Sequence, residues 1–317
     1  MSTVSNFFGE FAHAFSHLVV WAYLVGILTF LAQAAVRSRA WRNLLVATFP
    51  GSSVRWRDAY GATLVMHGAG IFLPMHGEEA VRIGLMKDRI KGASAPVVAA
   101  TAGVDALFDV ILTAVLLGVS AWLGAAVVDW HEIAAHPLKP VLFAALVLAA
   151  IVTAIVALRR KARGLGDELR QGVVIFRHRG AYARTVLGWQ LADFGLQLAT
   201  LYLLLVAFGF GAPTLVSVIL IRTAQRVTVS LPGFLETGSQ QAMIVAILSQ
   251  IGFPAGQALG FGFGSKVTIS VLTVALALSA ARIMIGPLHL RTRIRELVAH
   301  AFNSVSPTKG ALRAQRP

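Results

Sequence analysis

Long apolar runs alternate with short polar segments along this chain, and three of the runs contain no charged residue. These three extend over residues 18–36, 110–128 and 141–158. A helix needs about 20 apolar residues to cross roughly 30 Å of hydrocarbon, so each run has the length of a membrane span. Two further apolar runs, at 185–209 and 257–288, bring the predicted number of full spans to about five.

A shorter apolar run, from about residue 59 to 75, is interrupted by Pro74. Five arginines precede it in residues 37–58, and four Lys or Arg residues follow it in residues 82–91. Positive charge marks cytoplasmic loops, so we expect both ends of this run on the cytoplasmic side. Such a segment must turn back inside the bilayer. We therefore predict a broken, re-entrant helical hairpin over residues 59–100.

From residue 93 to 128 the chain is apolar apart from Asp105 and Asp109. A single straight helix of this length would be about 54 Å long, which exceeds the thickness of the hydrocarbon layer. We therefore expect the first third of this segment to belong to the hairpin and the rest to be a membrane span.

A second broken pattern occupies residues 213–256. Two short apolar pieces are separated there by Pro232, Gly233, Glu236 and Gly238. On the charge-based topology this hairpin enters from the outside, whereas the first enters from the cytoplasm. Pairs of this kind indicate inverted-topology repeats, whose discontinuous helices meet near the bilayer midplane. We predict an all-α polytopic membrane protein with this arrangement, with two tilted full spans over the second pattern as the alternative.

The same charge pattern predicts how the chain is organised. A first membrane half (1–158) is followed by a loop (159–184) that contains eight positive charges. A second membrane half (185–288) leads to a basic tail (289–317). By the positive-inside rule, the loop and the tail are cytoplasmic and the N-terminus is outside. The predicted location is the bacterial inner membrane.

Composition supports a membrane protein, because 56% of the residues are hydrophobic and only 13% are charged. About a quarter of the residues are charged in soluble domains. The net charge of +14 comes from Lys and Arg between the apolar runs, so we expect no nucleic-acid partner. The chain contains no cysteine and no HExxH pattern, and we expect neither a metal nor a cofactor. The oligomeric state stays open, with a homo-oligomer as one option.

Two arginines inside the second hairpin are candidates for a binding site. Arg222 and Arg226 are four residues apart and share one helical face. An arginine inside a membrane costs about 2.5 to 3.5 kcal/mol on insertion scales. Guanidinium groups match the geometry of phosphate and carboxylate, so the pair predicts an anion site. The alternative is a structural ion pair with Glu236, Asp193 or another internal acid.

Acidic residues near the first hairpin form a second set of candidates. Asp105 and Asp109, also four residues apart, could carry protons or bind a cation. We favour a salt bridge from them to Arg82 or to the arginine pair. One of the glutamates at 78 and 79 is expected in the first turn of a half-helix, where the helix dipole stabilises negative charge.

The remaining candidates are isolated polar residues. His76, close to Glu78, could relay protons, although hydrogen bonding within a kinked helix also explains it. Lys266 lies in the last apolar run and could extend to the interface. The substrate-binding candidates are Arg82, Arg222, Arg226, Glu78, Glu236 and Lys266. The candidates for proton or ion coupling are Glu78, Asp105, Asp109 and His76. The predicted hairpin breaks are Pro74, Gly77, Pro232, Gly233 and Gly238.

Three short motifs together carry a family resemblance. The stretch LPMHGEEAVRIGLM (73–86) resembles the pattern LP-x-R-x-GE-x-x-R, and VDALFD (104–109) stands in place of VERLLD. The stretch SLPGFLETGSQQAMIVAIL (230–248) resembles the pattern P-x-x-PGG-x-G-x-x-E of a hairpin that is followed by an apolar helix. These motifs resemble the transmembrane, flippase-like region of lysylphosphatidylglycerol synthases. The chain departs from the family at Met75 and His76, where an arginine is usual.

The resemblance implies lipid translocation. Family members with a soluble aminoacyl-transferase domain make lysylphosphatidylglycerol and also flip it, but the tail of residues 289–317 is too short for such a domain. We therefore expect a stand-alone member that is not an enzyme. It would move a phospholipid or a polyprenyl-phosphate lipid between leaflets, with an anionic headgroup favoured. No GxxxxGK[ST] pattern occurs, so we expect no use of ATP.

Two other functions stay open at this point. An integral-membrane enzyme acting on lipid-linked phosphate or sugar would have to use Glu78, Glu79 and His76, which form the only plausible acid–base group. A non-catalytic scaffold of a lipid biosynthesis complex, such as one for hopanoids, could dock through residues 159–184.

Overall fold

The computed structural model describes residues 18–73, 77–127, 174–177, 179–228, 234–250 and 252–285 of the chain. Every regular element in these ranges is helical. In chain order the helices are α1 (Val20–Thr48), α2 (Trp56–Gly70), α3 (Gly77–Lys87), α4 (Ala95–Val127), α5 (Arg179–Tyr182), α6 (Gly188–Ala207), α7 (Leu215–Thr228), α8 (Phe234–Gln250) and α9 (Ala255–Ile285). A 3₁₀ turn (Val174–Arg177) precedes α5, and a π-helical turn (Ala183–Leu187) follows it.

Four of these helical stretches are long and apolar enough to cross a membrane, within the ranges that the structure describes. They are Val20–Thr48, Ala95–Ser120, Gly180–Ala207 and Ala255–Met284. The chain is therefore an all-α polytopic membrane protein, as the hydrophobic pattern predicts. The fifth predicted span, at residues 141–158, lies outside the described residues.

Two pairs of shorter helices occupy the places where the broken hairpins are predicted. Helix α2 packs against α3, and α7 packs against α8. These helices contain 15, 11, 14 and 17 residues, so at about 1.5 Å per residue each is shorter than the hydrocarbon layer. Helix α3 begins at Gly77, the predicted break, and has both glutamates in its first turn. Pro74, Pro232 and Gly233 lie outside the described residues.

The chain forms two compact units, and each is assembled from three separate segments. Unit 1 contains the described residues among 1–31, 104–170 and 194–265, and unit 2 contains those among 32–103, 171–193 and 266–317. The α7–α8 hairpin belongs to unit 1 and the α2–α3 hairpin belongs to unit 2. Each of the four long helices, α1, α4, α6 and α9, contributes one part to each unit.

Aromatic rings form part of the core of unit 1, around the end of α6 and the start of α9. Phe208 and Phe210 each meet Phe261 edge-on, with ring centroids 5.7 and 5.6 Å apart. Phe210 also contacts Phe253 at 4.8 Å, and Tyr23 of α1 contacts Phe208. Edge-to-face contacts of this kind add to the stabilisation from burial of the rings, and here they hold three elements of unit 1 together.

Small residues allow close helix packing in unit 2. A Cβ atom at Gly68 of α2 would lie 2.2 Å from the Cβ of Ala277 in α9, and one at Gly61 would lie 2.6 Å from the Sδ of Met284. The Cβ of Ala277 cannot move away without its backbone, so Gly68 is required if the two helices keep this approach, whereas the flexible side chain of Met284 could shift to make room at position 61. Glycine commonly has this role between membrane helices.

Helix α1 extends further than the sequence predicts. The charge pattern predicts a cytoplasmic loop after residue 36, but the helix continues to Thr48. Trp41, Leu44 and Leu45 are fully buried in this extension, and their spacing places them on one helical face. Arg37, Arg39 and Arg42 lie before and within this stripe and obscure it, which is why the segment resembles a loop.

Helix α4 also differs from the expectation that its first third belongs to the hairpin. Residues 95–127 form one continuous helix of 33 residues. Its only proline, Pro96, lies in the first turn, where the missing backbone N–H removes no helical hydrogen bond. A similar correction applies to Gly238, a predicted break that lies inside α8.

Candidate functional site

Helix α7 positions the two arginines of unit 1. The hydroxyl of Thr214 accepts a hydrogen bond from the backbone N–H of Ser217 at 3.2 Å, which caps the start of this helix. Ile221 is fully buried, whereas Arg222 and Arg226, one turn apart, are each partly buried. The side chain of Arg226 is 11% exposed. The helix therefore directs both guanidinium groups into the interior of unit 1.

Gln197 of α6 lies between these two guanidinium groups. Its Oε1 accepts a hydrogen bond from Nη2 of Arg226 at 2.9 Å and a second one from Nη2 of Arg222. Gln197 is only 4% exposed. Arg222 also donates from Nη1 to Oε1 of Gln225 at 3.0 Å. One uncharged oxygen is therefore shared by two positively charged groups.

Asp109 of α4 is an acidic partner of Arg226. Its Oδ1 accepts from Nη1 of Arg226 at 3.1 Å, and the hydroxyl of Thr113 lies 3.4 Å from the same nitrogen. The arginine cluster is defined here as Asp109, Thr113, Gln197, Arg222, Gln225 and Arg226. As defined, it contains two guanidinium groups and one carboxylate, supplied by three helices of unit 1.

Arg82 of α3 has a different environment, in unit 2. It is fully buried, and its Nε donates to Oε2 of Glu79 at 2.9 Å. Its guanidinium carbon lies 4.2 Å from the ring centroid of Trp41, a cation–π contact. The indole N–H of Trp41 donates to the hydroxyl of Thr101 at 3.2 Å. We call these four residues the Arg82 cluster.

A further ion pair lies in unit 2. Nη1 of Arg37 in α1 is 3.7 Å from Oδ2 of Asp193 in α6, and the two side chains are 19% and 7% exposed. The sequence offered Asp193 as a structural partner for Arg222 or Arg226. The structure pairs Asp193 with Arg37 and pairs Arg226 with Asp109, which confirms the salt bridge from Asp109 to the arginine pair that the sequence favours.

The other predicted residues are distributed over several helices. Asp105 is buried in α4, while Glu78 of α3 and Lys266 of α9 are half-buried. His76 and the side chain of Glu236 lie outside the described residues. Across the ranges that the structure describes, no group of three or more His, Asp or Glu side chains could hold a metal ion.

Sequence reasoning selected Asp109 but missed the neutral residues that surround the predicted arginines, above all Gln197. A signal for it exists, because α6 has polar residues spaced by three and four along one face of an apolar helix. They are Gln190, Asp193, Gln197 and Thr200, and each is 3–5% exposed. Polar residues in such a stripe must find partners inside the protein, so this pattern marks the face of α6 that carries the polar contacts.

These helices and contacts define a polytopic membrane protein that holds charged groups within its membrane-embedded units. The sequence matches the family described as the lysylphosphatidylglycerol synthase TM region over residues 5–277. The chain therefore belongs to this family, and its function is related to membrane lipids. No similar curated protein and no similar solved structure was found.

Proposed function

We propose that this chain moves a phosphate-containing lipid, either a phospholipid or a polyprenyl-phosphate lipid, between the leaflets of the bacterial inner membrane. The headgroup binds at the arginine cluster. The observation that carries this proposal is the pair of guanidinium groups, Arg222 and Arg226, that share the neutral oxygen of Gln197 inside unit 1.

The energetics of buried arginine support this assignment. Each intramembrane arginine costs about 2.5 to 3.5 kcal/mol on insertion scales, so two on one helical face require a compensating role. The amide of Gln197 between them carries no negative charge. A phosphate has several anionic oxygens in the geometry that guanidinium groups bind best. A lipid phosphate is therefore a stronger acceptor for this pair than the side chain that lies there.

The two hairpins suggest how the headgroup site could open alternately to the two leaflets. Each unit contains one pair of short helices, α2–α3 or α7–α8. In inverted-repeat transporters, broken helices of this kind line the substrate site, and one repeat moves against the other to give alternating access. Breaks between helices within the membrane are tolerated where the non-helical backbone lines a water-filled cavity. A polar headgroup needs such a cavity to cross the membrane.

The proposed energy source is a gradient, the membrane potential or downhill flow of the lipid, because the sequence has no nucleotide-binding loop pattern. Among the candidates for coupling, Asp109 has the clearest link to the headgroup site. Its carboxylate contacts Arg226 directly, so a change in its charge would change the affinity of that arginine for an anion.

The experiment is a leaflet-exchange assay in proteoliposomes with fluorescent phosphatidylglycerol and fluorescent phosphatidylcholine. The test variant is Arg222→Gln/Arg226→Gln, which removes both charges and keeps side chains that can form hydrogen bonds. We expect its transport rate to fall by about tenfold or more, the effect of losing about 1.4 kcal/mol of binding. Thermal melting of the detergent-solubilised protein checks that the variant is folded.

A matched control removes the same amount of charge from exposed positions. Arg55 and Arg57 lie at the start of α2 and are both exposed. The Arg55→Gln/Arg57→Gln variant should transport lipid like the wild type. Equal transport by the wild type and the folded Arg222→Gln/Arg226→Gln variant would refute the proposed headgroup site, and a wild type that moves neither lipid would refute phospholipid transport.

A further inference from the structure

Gln197 accepts hydrogen bonds from both arginines of the proposed headgroup site through a single atom. Its Oε1 receives Nη2 of Arg222 and, at 2.9 Å, Nη2 of Arg226. Both donors are terminal nitrogens of their guanidinium groups, and guanidinium groups contact phosphate oxygens through such nitrogens. The amide oxygen therefore occupies the place that a bound anion would take.

The chemistry of this position sets the charge of the arginine cluster. Nη1 of Arg226 is already engaged by Asp109 at 3.1 Å, which places one carboxylate beside two guanidinium groups. A second carboxylate at position 197 would form charge-assisted hydrogen bonds with both arginines and balance the defined cluster. A neutral amide satisfies the same donors more weakly and adds no negative charge that would compete with an anionic ligand.

The position of Gln197 in the fold also suits an exchangeable contact. It belongs to the buried polar stripe of α6, and it is 4% exposed without a ligand. The glutamine side chain has three rotatable bonds, so its amide can leave the two guanidinium groups by changing rotamer while α6 stays in place.

We infer that Gln197 is the specificity-determining residue of this site: its amide oxygen holds the two arginines in the absence of lipid, and a headgroup phosphate displaces it. The inference rests on the proposed function and deepens it. A neutral acceptor at residue 197 selects an anionic group as the ligand. It also gives Nη2 of both arginines an acceptor while no lipid is bound.

Gln197→Glu is the first test, because it keeps the shape of the side chain and adds a permanent negative charge. The carboxylate competes with the lipid phosphate for the same two arginines. We expect transport of fluorescent phosphatidylglycerol to fall by about tenfold or more, while the melting temperature stays equal or rises. The stability readout separates displacement of the ligand from simple loss of structure.

Gln197→Met is the second test, since it removes the competing oxygen at similar volume. Without lipid, the arginines lose an acceptor and the protein melts at a lower temperature. A short-chain phosphatidylglycerol then supplies the missing acceptors without displacing anything. We therefore expect it to raise the melting temperature of this variant by more than it raises that of the wild type.

Three results would show whether the role of Gln197 alone is wrong or whether the headgroup site is wrong as well. Normal transport by Gln197→Glu, together with loss of transport in Arg222→Gln/Arg226→Gln, would overturn the role of Gln197 and keep the headgroup site. An equal or smaller thermal shift in Gln197→Met than in the wild type would also overturn it, and this holds even if Gln197→Glu does not fold. Normal transport by Arg222→Gln/Arg226→Gln would overturn the proposed headgroup site and the inference with it, whereas a wild type that moves neither lipid would refute phospholipid transport itself.

Discussion

Both units of the molecule bury arginine next to a short-helix hairpin, but the two environments differ in what satisfies the positive charge. In unit 2, the fully buried Arg82 contacts the carboxylate of Glu79 and the face of Trp41. In unit 1, Arg222 and Arg226 share the amide of Gln197, and Arg226 also contacts the carboxylate of Asp109.

The difference separates a structural arginine from a binding arginine. A charge that is matched by a carboxylate and an aromatic face within one compact cluster stabilises the arrangement of α1 and α3 in unit 2. A charge that is held by a neutral, replaceable acceptor can exchange that acceptor for a ligand. Arg82 is a substrate-binding candidate on sequence grounds, and its contacts favour the structural role.

The largest predicted effect is on stability, at the Arg82 cluster. Arg82→Met removes the charge, keeps a long side chain, and leaves Glu79 without the contact made by Nε. Arg82 is fully buried but Glu79 is 35% exposed, so the loss comes mainly from the packing of the arginine side chain and its cation–π contact with Trp41, about 2 kcal/mol or more. We expect a large fall in melting temperature in detergent, or failure to express in the membrane.

A double substitution tests whether the loss comes from the ion pair. In Arg82→Met/Glu79→Gln the orphaned carboxylate is neutralised, and because Glu79 is 35% exposed, only about 0 to 1 kcal/mol should return. Arg222→Gln/Arg226→Gln breaks the pair with Asp109, so it should lose about 1 kcal/mol in the same measurement, less than Arg82→Met. If Arg82→Met melts like the wild type and abolishes transport, the structural assignment of Arg82 is wrong and the distinction between the two units disappears.

The sequence predicts one side of this comparison better than the other. Charged residues in apolar surroundings stand out, so Arg222, Arg226, Asp109 and Arg82 can all be selected as candidates from the sequence alone. The two short-helix pairs can be predicted as well, because proline and glycine interrupt the apolar runs at 59–100 and 213–256 and basic residues flank the first of them.

The partners of those charges cannot be selected in the same way. Gln197 is neutral and lies in a long apolar run, so only its three-to-four spacing with other polar residues of α6 marks it. Trp41 contacts Arg82 because α1 remains helical to Thr48, in a segment where arginines disguise the apolar face. Asp193 pairs with Arg37 because of how α1 and α6 pack in unit 2. Helix packing of this kind cannot be predicted from the residue pattern of a single sequence.

An intermediate effect is predicted at Asp109. Asp109→Asn removes the negative charge beside Arg226 but keeps an oxygen that can accept a hydrogen bond. The side chain is 28% exposed, so the loss of stability should be about 1 kcal/mol. The cluster gains positive charge, and short-chain phosphatidylglycerol should therefore raise the melting temperature of this variant by more than that of the wild type.

Thr113→Val is the matched control for Asp109→Asn. It removes a neutral oxygen 3.4 Å from the same nitrogen of Arg226, a weak contact, without changing the charge of the cluster. Its thermal response to phosphatidylglycerol should equal that of the wild type. An unchanged response in Asp109→Asn as well would show that the charge of the cluster does not control anion binding.

The smallest effect is predicted for an ion pair near the surface of unit 2. Arg89 donates to Oδ1 of Asp58 at 3.0 Å, but its side chain is 38% exposed, and water competes for both groups. Exposed pairs contribute about 0 to 1 kcal/mol, so Asp58→Asn should hardly change the melting temperature or lipid transport. Melting at several salt concentrations checks this, since screening already weakens the pair in the wild type. A loss as large as that of Arg82→Met would mean that exposure does not decide the role of an ion pair in this protein. In that case, the structural role of Arg82 could not be inferred from its burial.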